Sequence, residues 1–219
     1  MSPRRYEQRQ RAEAAEETRR RILDAVYQRL AEAPTQAVSI DQVARTAKVA
    51  RSTVYLIFGS RDGLFDAVAR DLFDRGGFDR IVEAVAHPDP RETVREGLRG
   101  STHMFAAHRE VFRALVSLAH LDPDAVGGTV QRADRNRAAG MASLAERLAE
   151  QGQLRPGVSV EAAADLLWIL TSFDAYDLLA TGRGLSADEA ADLLIETAER
   201  TLCISTATTP PVPARCGTG

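Results

Sequence analysis

Apolar residues recur at spacings of three and four along most of the chain, and no segment of two-residue alternation stands out, so the pattern predicts an all-α protein. The first stripe, Ile22, Leu23, Val26, Tyr27 and Leu30, predicts a helix over about residues 16–33 that Pro34 ends. Ser39 with Gln42 three residues on reads as a capping box opening a second helix at Ile40, whose inward positions are Ile40, Val43, Ala44 and Ala47. Val49 closes the next turn as an apolar plug. A third helix from about Arg51 turns Val54, Ile57 and Phe58 inward. Gly59-Ser60 then breaks the chain, and Ser60 caps a fourth helix carrying Leu64, Phe65, Val68, Leu72 and Phe73. Gly76-Gly77 and Pro88 to Pro90 punctuate a connection, after which helices are predicted over about 91–106, 109–121, 128–151, 160–180 and 186–204. Thr181-Gly182-Arg183-Gly184 separates the last two, and Ser186 with Glu189 forms a second capping box.

Two short helices joined by a tight turn, over about residues 39–58, have the shape of a DNA-reading helix-turn-helix. Its outer face, Lys48, Arg51, Ser52 and Tyr55 at i, i+3, i+4 and i+7, consists of hydrogen-bond donors. Arg51 can grip guanine bidentately, Ser52 and Thr53 can meet bases or phosphates, and Lys48 and the Tyr55 hydroxyl can hold phosphate oxygens. A solvated surface helix is polar too, so charge alone does not decide. Context does. Residues 1–60 carry 11 basic and 7 acidic side chains, a net of +4, which leaves −7 for the rest of a chain whose total is −3. A basic front on an acidic body turns one end towards phosphate. Lys48 is the single lysine beside 27 arginines, a bias of genome composition that weakens any argument from arginine alone.

The 219 residues and 44% hydrophobic content suit a protein with a real core. Cys203 and Cys216 have neither the number nor the spacing of a disulfide framework or zinc site, which fits a reducing cytoplasm. The basic N-terminus precedes no apolar signal core and no stretch approaches the ~20 apolar residues of a membrane span, so the expected location is cytoplasmic. No phosphate-cradling glycine loop, nucleophile elbow or spaced metal cluster is found, hence no enzyme, no metal and no cofactor are expected. His87, His108 and His120 receive no role.

The stretch Thr18–Leu64 resembles the DNA-binding domain of TetR/AcrR-type transcriptional regulators. Thr18-Arg19-Arg20-Arg21-Ile22-Leu23-Asp24-Ala25 is similar to the family's opening helix, Ser39–Val49 to its second, Thr53-Val54-Tyr55 with Phe58 to its recognition helix, and Gly59-Ser60-Arg61-Asp62-Gly63-Leu64 to the start of its connecting helix. Three positions depart from the family pattern: Lys48 stands where the turn usually has glycine, Ala50 where a capping serine is common, and Leu56-Ile57 where a polar pair is frequent. The resemblance extends more weakly through Leu154-Arg155-Pro156-Gly157-Val158-Ser159 and Leu166–Leu179 into the last helix. The arginine-rich segment 1–15 reads as a disordered basic arm and the Thr-, Pro- and Gly-rich segment 205–219 as a disordered tail, and between them the resemblance implies a DNA-binding domain over 16–75 and a ligand-binding and dimerisation domain over 76–204. The arm, with Arg4, Arg5, Arg9 and Arg11, is either a phosphate or minor-groove contact or a solvated tail. The DNA-facing set becomes Arg19, Ser39, Lys48, Arg51, Ser52, Thr53, Tyr55 and Arg61.

The family also implies a homodimer through the last two helices, with Ala163, Leu166, Leu167, Leu170, Leu193, Leu194, Ile195, Ala198 and Leu202 offering the apolar surface. Its effector pocket points to His103, Phe105, Phe112, Trp168, Phe173 and Tyr176, although aromatics at helical spacing are more often plain core. Asp174 and Asp177 either recognise a cationic group or sit solvated at a dimer rim. The expected function is a repressor released from a palindromic operator, a duplex DNA partner, by a small-molecule effector. The competing readings are a structural DNA-binding protein without effector and a helical small-molecule-binding module without DNA binding.

Overall fold

The computed structural model describes residues 3–33, 36–121, 126 and 128–204. These form eleven helices: α1 (Pro3–Glu32), α2 (Ile40–Thr46), α3 (Arg51–Phe58), α4 (Arg61–Arg75), α5 (Phe78–Val85), α6 (Pro90–Ala107), α7 (Arg109–Leu121), α8 (Gly128–Glu150), α9 (Val160–Leu170), α10 (Phe173–Arg183) and α11 (Ala187–Leu202). Extended pairing among the described residues is limited to one bridge between Leu154 and Cys203. It is flanked by hydrogen bonds from the Arg155 amide to the Leu202 carbonyl (2.7 Å) and from the Ile204 amide to the Gln153 carbonyl (3.0 Å), which tie the end of α11 to the loop after α8.

Hydroxyl and carboxylate caps set many of the boundaries. Ser60, Ser159, Ser172 and Ser186 each accept a first-turn amide of α4, α9, α10 and α11, and Asp89 does so for α6 with Pro90 at the first position. Such a cap is worth about 1 kcal/mol. Ser186 and Glu189 complete the reciprocal capping box read from the sequence. Ser39 does not: its backbone is extended as a cap requires, but its hydroxyl bonds no helix amide. That end of α2 is fixed instead by burial of Val38 and Ile40 on either side of it and by Arg61 Nη2, which donates to the Val38 carbonyl at 3.2 Å.

Three elements differ from the expected pattern. The segment read as an arm is helical from Pro3, continuous with the core-packed part of α1, because residues 3–20 are rich in helix-forming Arg, Glu, Gln and Ala and hold no glycine. The span 160–180 is two helices. Thr171 Oγ1 bonds back to the Leu167 carbonyl (2.7 Å) and Ser172 Oγ to that of Ile169 (2.7 Å), after which Ser172 restarts the chain as the cap of α10. Finally, α5 fills the stretch between Gly76-Gly77 and Pro88, where Phe78, Ile81, Val82 and Val85 carry a helical spacing that the flanking glycines and proline obscured. Pro34 and the tail 205–219 lie outside the described residues.

Two apolar clusters hold the protein together. The first joins α1–α4 to the body: Ile22, Val26, Leu30, Val43, Val54, Phe65 and Val68 are continuous with Met104 and Phe105 of α6, Phe112 and Leu115 of α7, and Phe173 and Tyr176 of α10. The second packs Val94 and Leu98 of α6 against Leu144 and Leu148 of α8, Leu167 of α9, and Leu194, Ile195 and Leu202 of α11. Each such fully buried side chain contributes about 1.5–3 kcal/mol. The helix-turn-helix is therefore seated on the same core as the body.

Candidate nucleic-acid interface

The turn between α2 and α3 is a Schellman closure. The Lys48 amide donates to the Arg45 carbonyl (3.1 Å) and the Val49 amide to that of Ala44 (2.9 Å), the pairing that forms when the residue after a helix C-cap is left-handed. Lys48 takes that conformation, with φ 54°, alone among described non-glycine residues. A side chain there costs about 1 kcal/mol relative to glycine. Val49 then packs half-buried against the core and directs the chain into α3.

Burial fixes which way α3 faces. Val54 is buried, and Ile57 and Phe58 pack on the core. Arg51, Ser52, Tyr55 and Leu56 are exposed, as is Lys48, whereas Thr53 is half-buried. Leu56 is 86% exposed, an apolar side chain at the outer edge of an otherwise polar face.

Arg51 is already engaged. Its Nη1 donates to both carboxylate oxygens of Asp41, at 3.2 and 3.1 Å, and its Nη2 to the Tyr55 hydroxyl at 3.4 Å. Its guanidinium lies 5.6 Å from the Tyr55 ring centroid. The Tyr55 hydrogen bond, followed by the charge of Asp41, pushes the Arg51 pKa up and reinforces its positive charge. Asp41 was not legible as part of this group, since ten residues is no helical spacing and the pair meets only through the turn.

The remaining expected DNA contacts divide. Arg19 of α1 stands 5.7 Å over the Phe58 ring, near Glu16 (3.8 Å), beside the end of α3. Ser39 is half-buried at the start of α2. Arg61 is half-buried on the Val38 carbonyl and 5.9 Å over the Phe65 ring, so its side chain ties α4 to the segment leading into α2 and does not extend the outer face of α3.

Of the six residues expected to form a ligand site, four come together. Phe105 meets Phe112 edge-on at 4.9 Å and Phe173 at 5.6 Å, Phe112 and Phe173 stack at 5.6 Å, and Phe105 stacks with Tyr176 at 6.3 Å. Phe73 of α4 joins them at 6.2 Å from Phe112. The other two lie elsewhere. His103 is exposed, 3.1 Å from Asp188, because it falls on the outer face of α6 while Met104 and Phe105 turn inward. Trp168 is 38% exposed with the Arg137 guanidinium 5.0 Å from its ring centroid.

Asp177 accepts from Arg109 Nε and Arg113 Nη2, each at 2.7 Å, and is not free for an external cation. Desolvation by itself would raise its pKa, but the hydrogen bonds and charges of Arg113 and Arg109 hold the carboxyl below its ordinary range. Asp174 is exposed and lines, with Asp177, Leu178, Thr181 and Gly182, an open groove of about 470 Å³ along α10.

The residues expected at the dimer seam are mostly internal. Ala163, Leu167, Leu170, Leu194, Ile195, Ala198 and Leu202 are buried in the second core cluster and Leu166 is half-buried, because α9 packs on α8 and α11 packs on α6 within the protomer. Leu193 is exposed, and with it Leu178, Ile169 and Trp168.

An exposed donor-rich helix on a helix-turn-helix, seated on an all-helical body, defines the class of helix-turn-helix transcriptional regulators. Residues 22–68 match the family of bacterial regulatory proteins, tetR family. The chain is 28% identical over 184 residues to the HTH-type transcriptional regulator YdeS of Bacillus subtilis, covering 82% of this chain and 87% of that one. It is 32% identical over 93 residues to the HTH-type transcriptional regulator EthR of Mycolicibacterium smegmatis, covering 41% and 42%. Among solved structures, NalD of Pseudomonas aeruginosa, described as the secondary repressor of the MexAB-OprM multidrug efflux pump, superposes with a TM-score of 0.68 at 23% identity over 87% of this chain and 98% of that one. Residues 22–68 thus carry the match to the tetR family, and over most of its length the chain is similar in sequence and fold to TetR-type, DNA-binding transcriptional regulators.

Proposed function

We propose that the protein is a homodimeric repressor that holds a pseudo-palindromic operator through α3 of each protomer and releases it when a small, largely apolar effector enters the body. The observation that carries the reading is the face of α3, where Arg51, Ser52 and Tyr55 stand exposed while Val54 anchors the helix. Lys48, Arg51, Ser52, Thr53 and Tyr55 supply the contacts, with Arg19 and Ser39 at the margins. One eight-residue reading helix per chain covers one half-site, so two-fold DNA calls for a two-fold protein with reading helices roughly 34–36 Å apart.

The surface for that dimer lies along α10 and α11, where Leu178 is 71% and Leu193 42% exposed and Gly182 leaves room for a close helix approach. The effector site is the ring cluster of Phe105, Phe112, Phe173 and Tyr176, and repression follows from occupancy of the site the operator shares with its promoter. Light scattering of the purified protein, alone and with duplexes selected from a randomised library, tests the assembly. The expected results are a dimer mass, a selected motif with two-fold symmetry, and a monomer for Leu178→Glu, whose operator affinity falls at least about 100-fold once the two half-sites bind independently. A monomer mass for the unaltered protein, unchanged by the selected duplex, would refute the dimer.

A further inference from the structure

We propose that Asp41 is a positioning residue for base readout: its carboxylate braces the Arg51 guanidinium, together with the Tyr55 hydroxyl, so that the arginine meets the base edge in one orientation. The inference rests on α3 being the DNA-reading helix and adds a specificity determinant on α2.

An exposed acid beside a DNA-facing surface works against phosphate attraction, which supplies most of the non-specific affinity of such proteins. Asp41 also lies in the first turn of α2, where any acid complements the helix dipole. That accounts for an acid at this position but not for its geometry. Both carboxylate oxygens converge on Arg51 Nη1, on a different helix, while Nη2 is held by Tyr55 one turn further along α3. The Arg51 and Asp41 side chains are 58% and 51% exposed, and an ion pair so open to water adds little to stability. Its effect falls on where the guanidinium points.

Asp41, which meets Nη1 with both oxygens, and Tyr55 on Nη2 occupy at most three of the five N–H donors of the guanidinium and leave at least two for an acceptor pair such as guanine O6 and N7. An arginine held before docking loses less side-chain freedom on binding than one that must be ordered by the DNA. The acid discriminates in a second way. A phosphate brought against Arg51 in place of a base faces the Asp41 charge, so wrongly placed complexes are penalised. Affinity for arbitrary DNA is reduced while preference at one base pair is sharpened.

The test uses the full-length protein and a library of duplexes with a randomised centre, followed by anisotropy titrations on the selected duplex and on a scrambled one. Arg51→Ala identifies the base pair read by Arg51, as the position whose preference drops about 5- to 150-fold. Asp41→Asn and Asp41→Ser are expected to lose preference at that same base pair and its symmetry mate only. They are also expected to bind the scrambled duplex as tightly as the unaltered protein or more so, with thermal midpoints lowered by no more than about 4 °C, the helix-dipole contribution of the acid. The brace is overturned if both variants keep the unaltered preference at the Arg51 position. It is equally overturned if preference falls evenly at all positions, since that reports a frayed α2. Failure of the unaltered protein to enrich any motif would instead remove the DNA-reading assignment itself, and the brace with it.

Discussion

Lys48 occupies a position that the backbone would give to glycine, and the phosphate contact proposed for its ammonium would compensate. The residue is left-handed at φ 54° within the Schellman turn, so Lys48→Gly should relieve strain and raise stability by about 1 kcal/mol. The ammonium lost in the change is one of the phosphate contacts assigned to the reader. The slope of log affinity against log salt should therefore fall by about 2, one contact for each protomer of the dimer. Lys48→Ala removes the ammonium but keeps the strain, giving the same salt slope without the gain in melting temperature. If Lys48→Gly left both the salt slope and the affinity unchanged, Lys48 would not touch DNA. At this scale the sequence showed which residue types line α3, because helical spacing alone decides which of them share a face. It could not show Asp41 reaching Arg51, nor Arg61 turning back onto the Val38 carbonyl, since both depend on how two helices meet.

The junction of α3 with α4 shows how local sequence sets the angle between elements. Gly59 ends α3 at φ 76°, Ser60 accepts the Gly63 amide at 2.9 Å, and the Gly63 Cα comes so near the preceding helix that a Cβ would lie 2.1 Å from the Phe58 carbonyl oxygen. Gly63→Ala should force α4 away from α3 and destabilise the protein by about 1–3 kcal/mol, whereas a neutral effect on melting would show that the junction is slack. The motif Gly-Ser-Arg-Asp-Gly-Leu was readable as a break and a cap, but the close approach behind its second glycine was not. A similar limit explains why the span 160–180 read as one helix: its periodicity runs unbroken through Thr171 and Ser172, and only their back-bonding turns the chain. The helix α10 so formed is fastened to α7 by Asp177 between Arg109 and Arg113. Because the folded-state pKa of this carboxyl is lowered, its contribution is complete above the unfolded value of about 3.9 and is lost as pH falls through the lower folded one. Melting curves of the unaltered protein and Asp177→Asn should thus be separated at neutral pH and converge in acid. A gap that persists undiminished down to the acid limit of reversible folding would mean that the Arg109–Asp177–Arg113 cluster is not the source of the difference.

Across the whole molecule, the arrangement of rings offers a route from body to reader. Phe73 lies on α4, whose start is joined to α3 by Gly59-Ser60, and it meets Phe112 of α7, which stacks on Phe173 at the start of α10, the helix assigned to the dimer surface. Asp66, also on α4, accepts from Thr129 Oγ1 of α8 at 2.5 Å and from Arg132. Packed cores shift between discrete arrangements and do not deform continuously, so a compound that parts the rings must move α4, α10 or both. An effector that binds the DNA-free arrangement preferentially then lowers operator affinity by its own binding preference, and one with equal affinity for both arrangements shifts nothing. A coupling of about 1–3 kcal/mol corresponds to a 5–150-fold loss of affinity. The prediction is that small, mainly apolar compounds found by thermal shift will release the selected operator duplex by that factor. The operator should in turn weaken their binding by the same factor. Phe112→Leu should change both numbers while leaving DNA binding of the unliganded protein intact. Trp168 fluorescence should respond little, since that ring lies under Arg137 at the surface and outside the cluster. Compounds that bind the ring cluster tightly and raise the melting temperature, yet never alter operator affinity, would defeat the switch and leave an effector-independent DNA binder as the better account.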